Sequence, residues 1–199
     1  MLVIVRHGRT AANASGLLQG HTDLPLDDVG CAQASAVGAM LRRLGLLDAE
    51  TRFVSSPLQR AMQTAALVAD GEPIEIDERW IELDYGDLDA RPISDVGAAV
   101  WERWRRDLDF VPANGESLRA LGVRVRAACA DLVDAARDRT VVVTTHVSPV
   151  KAAVAWALGV DDAAVWRLFV APGSETRVAM QHTPVLVSFN EVPATLTGD

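Results

Sequence analysis

Lysine, tyrosine and cysteine are almost missing from this chain: one Lys, one Tyr and two Cys occur among 199 residues. Cys31 and Cys129 both fall in segments patterned as helices, and neither has a second Cys or a His at zinc-ligand spacing. A disulfide framework and a thiolate zinc site are therefore excluded, and both side chains are expected to be buried thiols of a cytoplasmic protein. With Lys151 as the single lysine, almost every basic position is arginine, so an arginine at any one place says little about paired-donor recognition. Also missing is any uncharged run of eighteen residues, which excludes a membrane-spanning helix. The opening MLVIVRHGRT has no basic stretch ahead of its apolar residues and is not read as a secretory leader. Basic residues are outnumbered, 19 against 27 acidic, and the net charge of −8 comes with no basic block. Broad binding to nucleic acid or to an anionic membrane is excluded on that ground.

What is present is a chain 49% hydrophobic and of a length suited to one domain, taken here as residues 1–199. Residues 2–6 and 140–145 are short apolar runs rich in Val, the pattern of strands buried on both faces. Shorter strands are expected at 53–54 and 74–77, and further ones at 165–171, 176–181 and 184–190, the last two paired as a hairpin. Apolar spacing of three and four predicts helices over 25–47, 100–108 and 118–138. Ser56-Pro57 and Ser148-Pro149 each read as a cap followed by a first-turn proline, opening two more helices. Strands alternating with helices imply an α/β fold around a mostly parallel sheet.

The polar residues that interrupt this pattern gather at strand ends. The first long strand runs into Arg6-His7-Gly8, the second into Thr145-His146, and the one at 53–54 into Ser55-Ser56-Pro57-Leu58-Gln59-Arg60. Ligand crevices of open α/β sheets lie beyond the carboxyl ends of the strands. Two imidazoles, two guanidiniums and a helix start in one crevice would suit a phosphate group. An acidic, turn-rich stretch over 79–95 offers several carboxylates. The tryptophans at 80, 101, 104, 156 and 166 fall in or beside apolar helices and are read as packing residues, with Trp101 and Trp104 placed to cover a site.

Five motifs in order carry a resemblance. Arg6-His7-Gly8-Arg9-Thr10 with Asn13, Gln19-Gly20, Asp23, Pro25-Leu26 and Gly30 resembles the opening of the histidine phosphatase superfamily, in the branch of the cofactor-dependent phosphoglycerate mutases and many small phosphatases. Ser55 to Ala61 with Gln63-Thr64-Ala65 resembles its second motif, and Trp80-Ile81-Glu82 with Tyr85-Gly86 its acid-bearing loop. Gly115-Glu116-Ser117 and Val142 to His146 resemble the last two. The resemblance implies a three-layer α/β/α sandwich and a phosphohistidine intermediate on His7. It also implies a cationic clamp of Arg6, Arg60 and His146, with Asn13 adding a hydrogen bond and Glu82 moving the proton. Glu82 shares its loop with Glu78, Asp84, Asp87 and Asp89, and its place three residues before Tyr85-Gly86 selects it. Gln19, Gly20 and Val147 are expected at the substrate. Departures from the pattern are Arg9 for an acidic or amide residue, Leu88-Asp89-Ala90 for Trp-Glu-Gly, and Val147 for Gly. The run His146-Val-Ser-Pro-Val-Lys151 is similar to that of actinobacterial-type acid phosphatases and α-ribazole phosphatases.

The expected function is metal-independent hydrolysis of a small phosphomonoester, with no cofactor, by a monomer or homodimer. Phosphoryl transfer concentrates charge on the equatorial oxygens, and two arginines supply what a divalent ion otherwise would. Phosphoglycerate mutase activity is the alternative; mutases of the family typically insert a longer basic segment between the acid loop and Gly-Glu-Ser, and here that interval is short. A non-catalytic phospholigand-binding protein is the reading from outside enzymology, and the complete set of catalytic residue types speaks against it. A metal site on His7, His146 and Glu82 is opposed by the two arginines.

Overall fold

The two Val-rich runs become the two central strands of a six-stranded sheet. In the computed structural model, which describes residues 1–194, β1 (Leu2–Arg6) lies between β4 (Val141–Thr145), parallel to it, and β5 (Glu175–Met180), antiparallel. β2 (Arg52–Ser55) and β3 (Ile74–Ile76) extend the parallel side, β6 (Pro184–Glu191) the antiparallel side, giving the order β3-β2-β4-β1-β5-β6. Each fully buried Val or Ile of the central strands contributes roughly 1.5–3 kcal/mol by leaving water, which is why these segments occupy the middle.

Alternate side chains of the central strands enter different layers. Val3, Val5 and Val142 meet Val37 and Leu41 of α2 (Asp28–Arg43) and Val68 of α3 (Gln59–Ala69). Leu2, Ile4, Val141 and Val143 meet Leu121, Val125 and Leu132 of α5 (Leu118–Asp138) and Val150 and Ala153 of α6 (Val147–Leu158). The expected sandwich with a mostly parallel sheet is therefore present. Two shorter helices, α1 (Ala11–Ala14) and α4 (Ala98–Arg106), lie in connections. α1, which the periodicity did not announce, is held by a reciprocal cap between Thr10 and Asn13. No helix among the described residues is long and apolar enough to cross a membrane.

Several local expectations are corrected. Residues 165–171 are not a strand: a 3-10 segment runs over Asp162–Arg167, opened by the Asp161 side chain accepting from Ala163 N. Its apolar content serves anchoring, since Val165 and Val170 are buried and Trp166 packs on Trp101 and Trp104, while Phe169 is 72% exposed. α2 starts at Asp28, capped by Asp27, and ends at Arg43, inside the predicted 25–47. α3 starts at Gln59 and not at Pro57, because Ser56 Oγ is engaged by His146 and Asp23 Oδ1 takes up the Gln59 N–H. α6 starts at Val147, ahead of Ser148-Pro149. Cys129 is buried as expected, whereas Cys31 is exposed on the outer face of α2.

Candidate active site

The register that pairs Arg6 with Thr145 sets the next residues, His7 and His146, side by side beyond the carboxyl ends of β1 and β4. The His7 N–H donates to the Thr145 carbonyl at 2.9 Å, and the two imidazole rings meet edge-on with centroids 5.1 Å apart. After β1 the chain passes to α2 on one face, and after β4 to α6 on the other, so the crevice opens where the connections diverge. Ser55 lies in register with Thr144, which brings Ser56 and the start of α3 to the same place.

Arg60, in the first turn of α3, is wholly buried. Its guanidinium donates to the carbonyls of Gly20 (2.7 Å) and Thr22 (3.0 Å), and its Nε–H faces both His7 Nε2 (3.3 Å) and His146 Nδ1 (3.1 Å). These contacts assign the ring protons. His7 Nδ1 donates to the Gly8 carbonyl at 2.7 Å, which leaves Nε2 as a lone pair. His146 takes the opposite tautomer, with Nε2 donating to Ser56 Oγ at 2.7 Å. Burial, followed by the charges of Arg6 and Arg60, holds His7 well below the ordinary imidazole range. Burial and Arg60 do the same to His146. Both rings are therefore neutral at pH 7, the form in which an imidazole nitrogen attacks an electrophile.

Arg6 donates to the Val170 carbonyl at 2.6 Å, and its buried Nε has no acceptor among the described residues. Burial lowers its pKa to about 10, which still leaves it a cation at neutral pH. Glu82 is 1% exposed; Leu83 N donates to Oε1 at 2.6 Å and Ser148 N to Oε2 at 3.4 Å. Arg6, His7, Asn13, Gln19, Glu82, Tyr85 and Val147 wall one cleft of about 360 Å³. A nucleophilic nitrogen, two fixed cations and a buried carboxylate can together transfer a phosphoryl group and move the proton that accompanies it.

A family model described as "Histidine phosphatase superfamily (branch 1)" matches residues 2–192. The chain belongs to this superfamily. A probable phosphoglycerate mutase from Enterobacter sp. (strain 638) is 35% identical over 192 residues, covering 93% of this chain and 87% of the relative. Among solved structures, a mycobacterial glucosyl-3-phosphoglycerate phosphatase in complex with VO3 superposes with a TM-score of 0.84 at 28% identity, covering 95% of this chain and 98% of that one. A phosphoserine phosphatase from Entamoeba histolytica in complex with 3-phosphoglyceric acid gives 0.86 at 25% identity, covering 96% of each chain.

Within this histidine phosphatase fold the expected residues do not all reach the cleft in the same way. Asn13 lines it, with Oδ1 held by the Thr10 N–H and its amide NH2 unbonded among the described residues. Gln19 also lines it, its Oε1 accepting from Thr10 Oγ1 at 2.6 Å. Gly20 lies behind the wall, its carbonyl holding Arg60 and its N–H bound to Asp89 Oδ1 at 2.7 Å. Asp89, at a departure from the family pattern, also accepts from Thr22 N and Oγ1 and so fixes the turn that grips Arg60. Arg9 pairs with Asp27 at 2.8 Å instead of adding charge to the cleft. His21 Nε2 donates to the Glu82 carbonyl at 3.0 Å.

Two residues escaped the sequence reading. Ser56 Oγ accepts the His146 Nε2–H, the tautomer that the Arg60 Nε–H at Nδ1 requires. Arg124 of α5 donates to the carbonyls of Arg79, Ile81 and Glu82 while pairing with Glu116 at 2.8 Å, so it fixes the backbone that carries the Glu82 carboxylate. Gly-Glu-Ser thereby gains a structural meaning: Glu116 holds Arg124, Ser117 caps α5, and a Cβ at Gly115 would lie 2.6 Å from the Asp84 carbonyl oxygen.

Proposed function

We propose that this protein hydrolyses a small phosphomonoester through a phosphohistidine on His7 Nε2, without a metal ion. The observation that carries the reading is the Nδ1–H bond from His7 to the Gly8 carbonyl, which leaves Nε2 unprotonated in a cleft walled by Arg6 and Glu82, with the buried Arg60 Nε–H 3.3 Å away. In the first step Nε2 donates its electron pair to phosphorus, the ester P–O bond breaks, and the Glu82 carboxyl group delivers its proton to the departing oxygen. In the second, water attacks phosphorus, Glu82 takes up the water proton, and the P–N bond breaks to return neutral His7 and free phosphate. Arg6 and Arg60 neutralise the charge on the equatorial oxygens in both steps.

Phosphatases among the structural neighbours support hydrolysis; the name of the curated relative raises phosphoglycerate mutase chemistry as the second reading. Here the chain between Glu82 and Glu116 is short, with the nine-residue α4 as its regular helix, and no residue of α4 walls the cleft. A phosphohistidine open to water is hydrolysed rather than passed to a second hydroxyl.

The test is phosphate release across a panel of phosphomonoesters in the presence of EDTA. The wild-type protein is expected to turn over, and His7→Ala to lose at least about a thousandfold, since it deletes the covalent route. Near-normal turnover by His7→Ala would overturn the assignment. Activity abolished by chelation alone would move the reading to a metal site, and isomerisation of 3-phosphoglycerate without phosphate release would favour the mutase.

A further inference from the structure

Beside the catalytic cleft lies a second cavity of about 170 Å³, walled by Trp101, Trp104, Trp166, Tyr85, Ser148 and Lys151. Tyr85 and Val147 belong to the walls of both, so the two spaces adjoin. Trp101 and Trp104 stack with centroids 5.7 Å apart and planes at 19°, and Trp166 stands edge-on to them at 6.2 and 6.3 Å. A cavity of about 150 Å³ accommodates benzene, so this one has the size of a single six-membered ring. Three tryptophans and a tyrosine are among its walls, a surface on which a ring packs well.

One feature calls for a charged substituent on that ring. Lys151 lies on α6 one helical turn after Val147, half-buried, and its ammonium makes no hydrogen bond or ion pair among the described residues. It is the only charged residue among those that wall the cavity; the charges that act on it, Glu82 and Arg6, lie in the adjoining cleft. The chain's sole lysine thus stands unpaired inside an aromatic recess next to the reacting centre.

We propose that this recess is the leaving-group subsite, seating a single-ring organic part of the phosphate ester whose carboxylate pairs with Lys151 Nζ. The substrate class is then a ring-bearing, carboxylated phosphomonoester, and the products are the carboxylated alcohol and inorganic phosphate. This inference rests on the phosphatase reading above.

The experiment compares 4-carboxyphenyl phosphate with 4-methylphenyl phosphate on wild type, Lys151→Met and Lys151→Arg. Lys151→Met is expected to lower kcat/KM for the carboxyphenyl ester about tenfold more than for the methylphenyl ester, mainly through KM, the size of one hydrogen-bonded charge contact. Lys151→Arg is expected to recover part of the difference. Equal changes for both esters would overturn the proposal while leaving the phosphatase reading intact. Should no ester of any kind release phosphate, the phosphatase reading fails, and tryptophan fluorescence then decides the subsite with 4-hydroxybenzoate as probe. Saturable quenching in wild type that disappears in Lys151→Met supports it, and the same quenching in both proteins, or none in either, overturns it.

Discussion

At the scale of single residues, His7 and Glu82 enter the cleft from different surroundings. Burial and the charges of Arg6 and Arg60 hold His7 neutral, while Glu82 is buried with its oxygens accepting from the Leu83 and Ser148 N–H groups. An acid that protonates a leaving oxygen matters only where that oxygen is a poor leaving group. Glu82→Gln keeps the size and the hydrogen-bond acceptor but cannot give up a proton. Single-turnover formation of phosphohistidine is expected to fall about 10²–10⁴-fold for an alkyl phosphate and less than about tenfold for 4-nitrophenyl phosphate, whose leaving group departs unprotonated. Equal losses on the two esters would remove Glu82 from the proton-transfer role. His7, His146 and Arg60 were legible in the sequence because strand ends and a helix start place them together. Ser56 and Arg124 were not, because a hydroxyl or guanidinium that serves a distant ring or carbonyl leaves no local pattern.

At the scale of elements, the position of His7 depends on how closely the loop after β1 approaches the first turn of α2. A Cβ on Gly8 would lie 2.2 Å from the Gly30 carbonyl oxygen, and one on Gly30 would lie 2.0 Å from that of Arg9. Thr64 adds a clamp from α3, accepting from the Gly8 N–H at 3.1 Å and donating to the Arg60 carbonyl at 2.8 Å. The loop that carries His7 and the turn that carries Arg60 are thus indexed to α2 and α3. Gly30→Ala is expected to cost about 1–3 kcal/mol through the forced backbone shift, read as a fall of several degrees in Tm, together with a drop in kcat. Gly97→Ala, where a Cβ meets nothing within 4 Å, serves as the control and is expected to leave Tm nearly unchanged. A Gly30→Ala protein with unaltered Tm would show that the loop yields freely. The central strands and long helices were readable from apolar periodicity. The starts of α3 and α6 and the 3-10 segment at Asp162–Arg167 were not, because a serine before proline has the same local signature whether its hydroxyl caps a helix or holds a histidine.

At the scale of the whole molecule, a chain of net charge −8 keeps its cationic side chains Arg6 and Arg60 inside a neutral-to-acidic exterior, which favours a small dianion in a cleft over a long polyanion on the surface. The same burial makes stability depend on pH from two directions. His7 and His146 are held below their unfolded value of 6.5, so the unfolded chain binds more protons as pH falls through 6.5, and stability declines on the acid side. Glu175 acts oppositely. It is fully buried on β5, opposite Glu191 in register, and neither of its oxygens accepts a hydrogen bond among the described residues. Arg177 Nε approaches it at 3.0 Å, but that N–H is directed to Ser188 Oγ at 2.8 Å. Burial therefore raises the Glu175 pKa from 4.5 to about 7. The folded state holds this proton more tightly than the unfolded one, so its contribution is complete below pH 4.5 and is lost as pH rises through about 7. Glu175→Gln, which cannot ionise, is expected to be more stable than wild type at pH 8 by about 1–3 kcal/mol. At pH 4.5 to 5 the advantage is expected to shrink towards zero, which thermal unfolding of both proteins across that range will read. A variant equally stabilised at both ends of the range, or destabilised at pH 8, would show that the Glu175–Arg177 pair holds β5 to β6 with an ionised carboxylate after all.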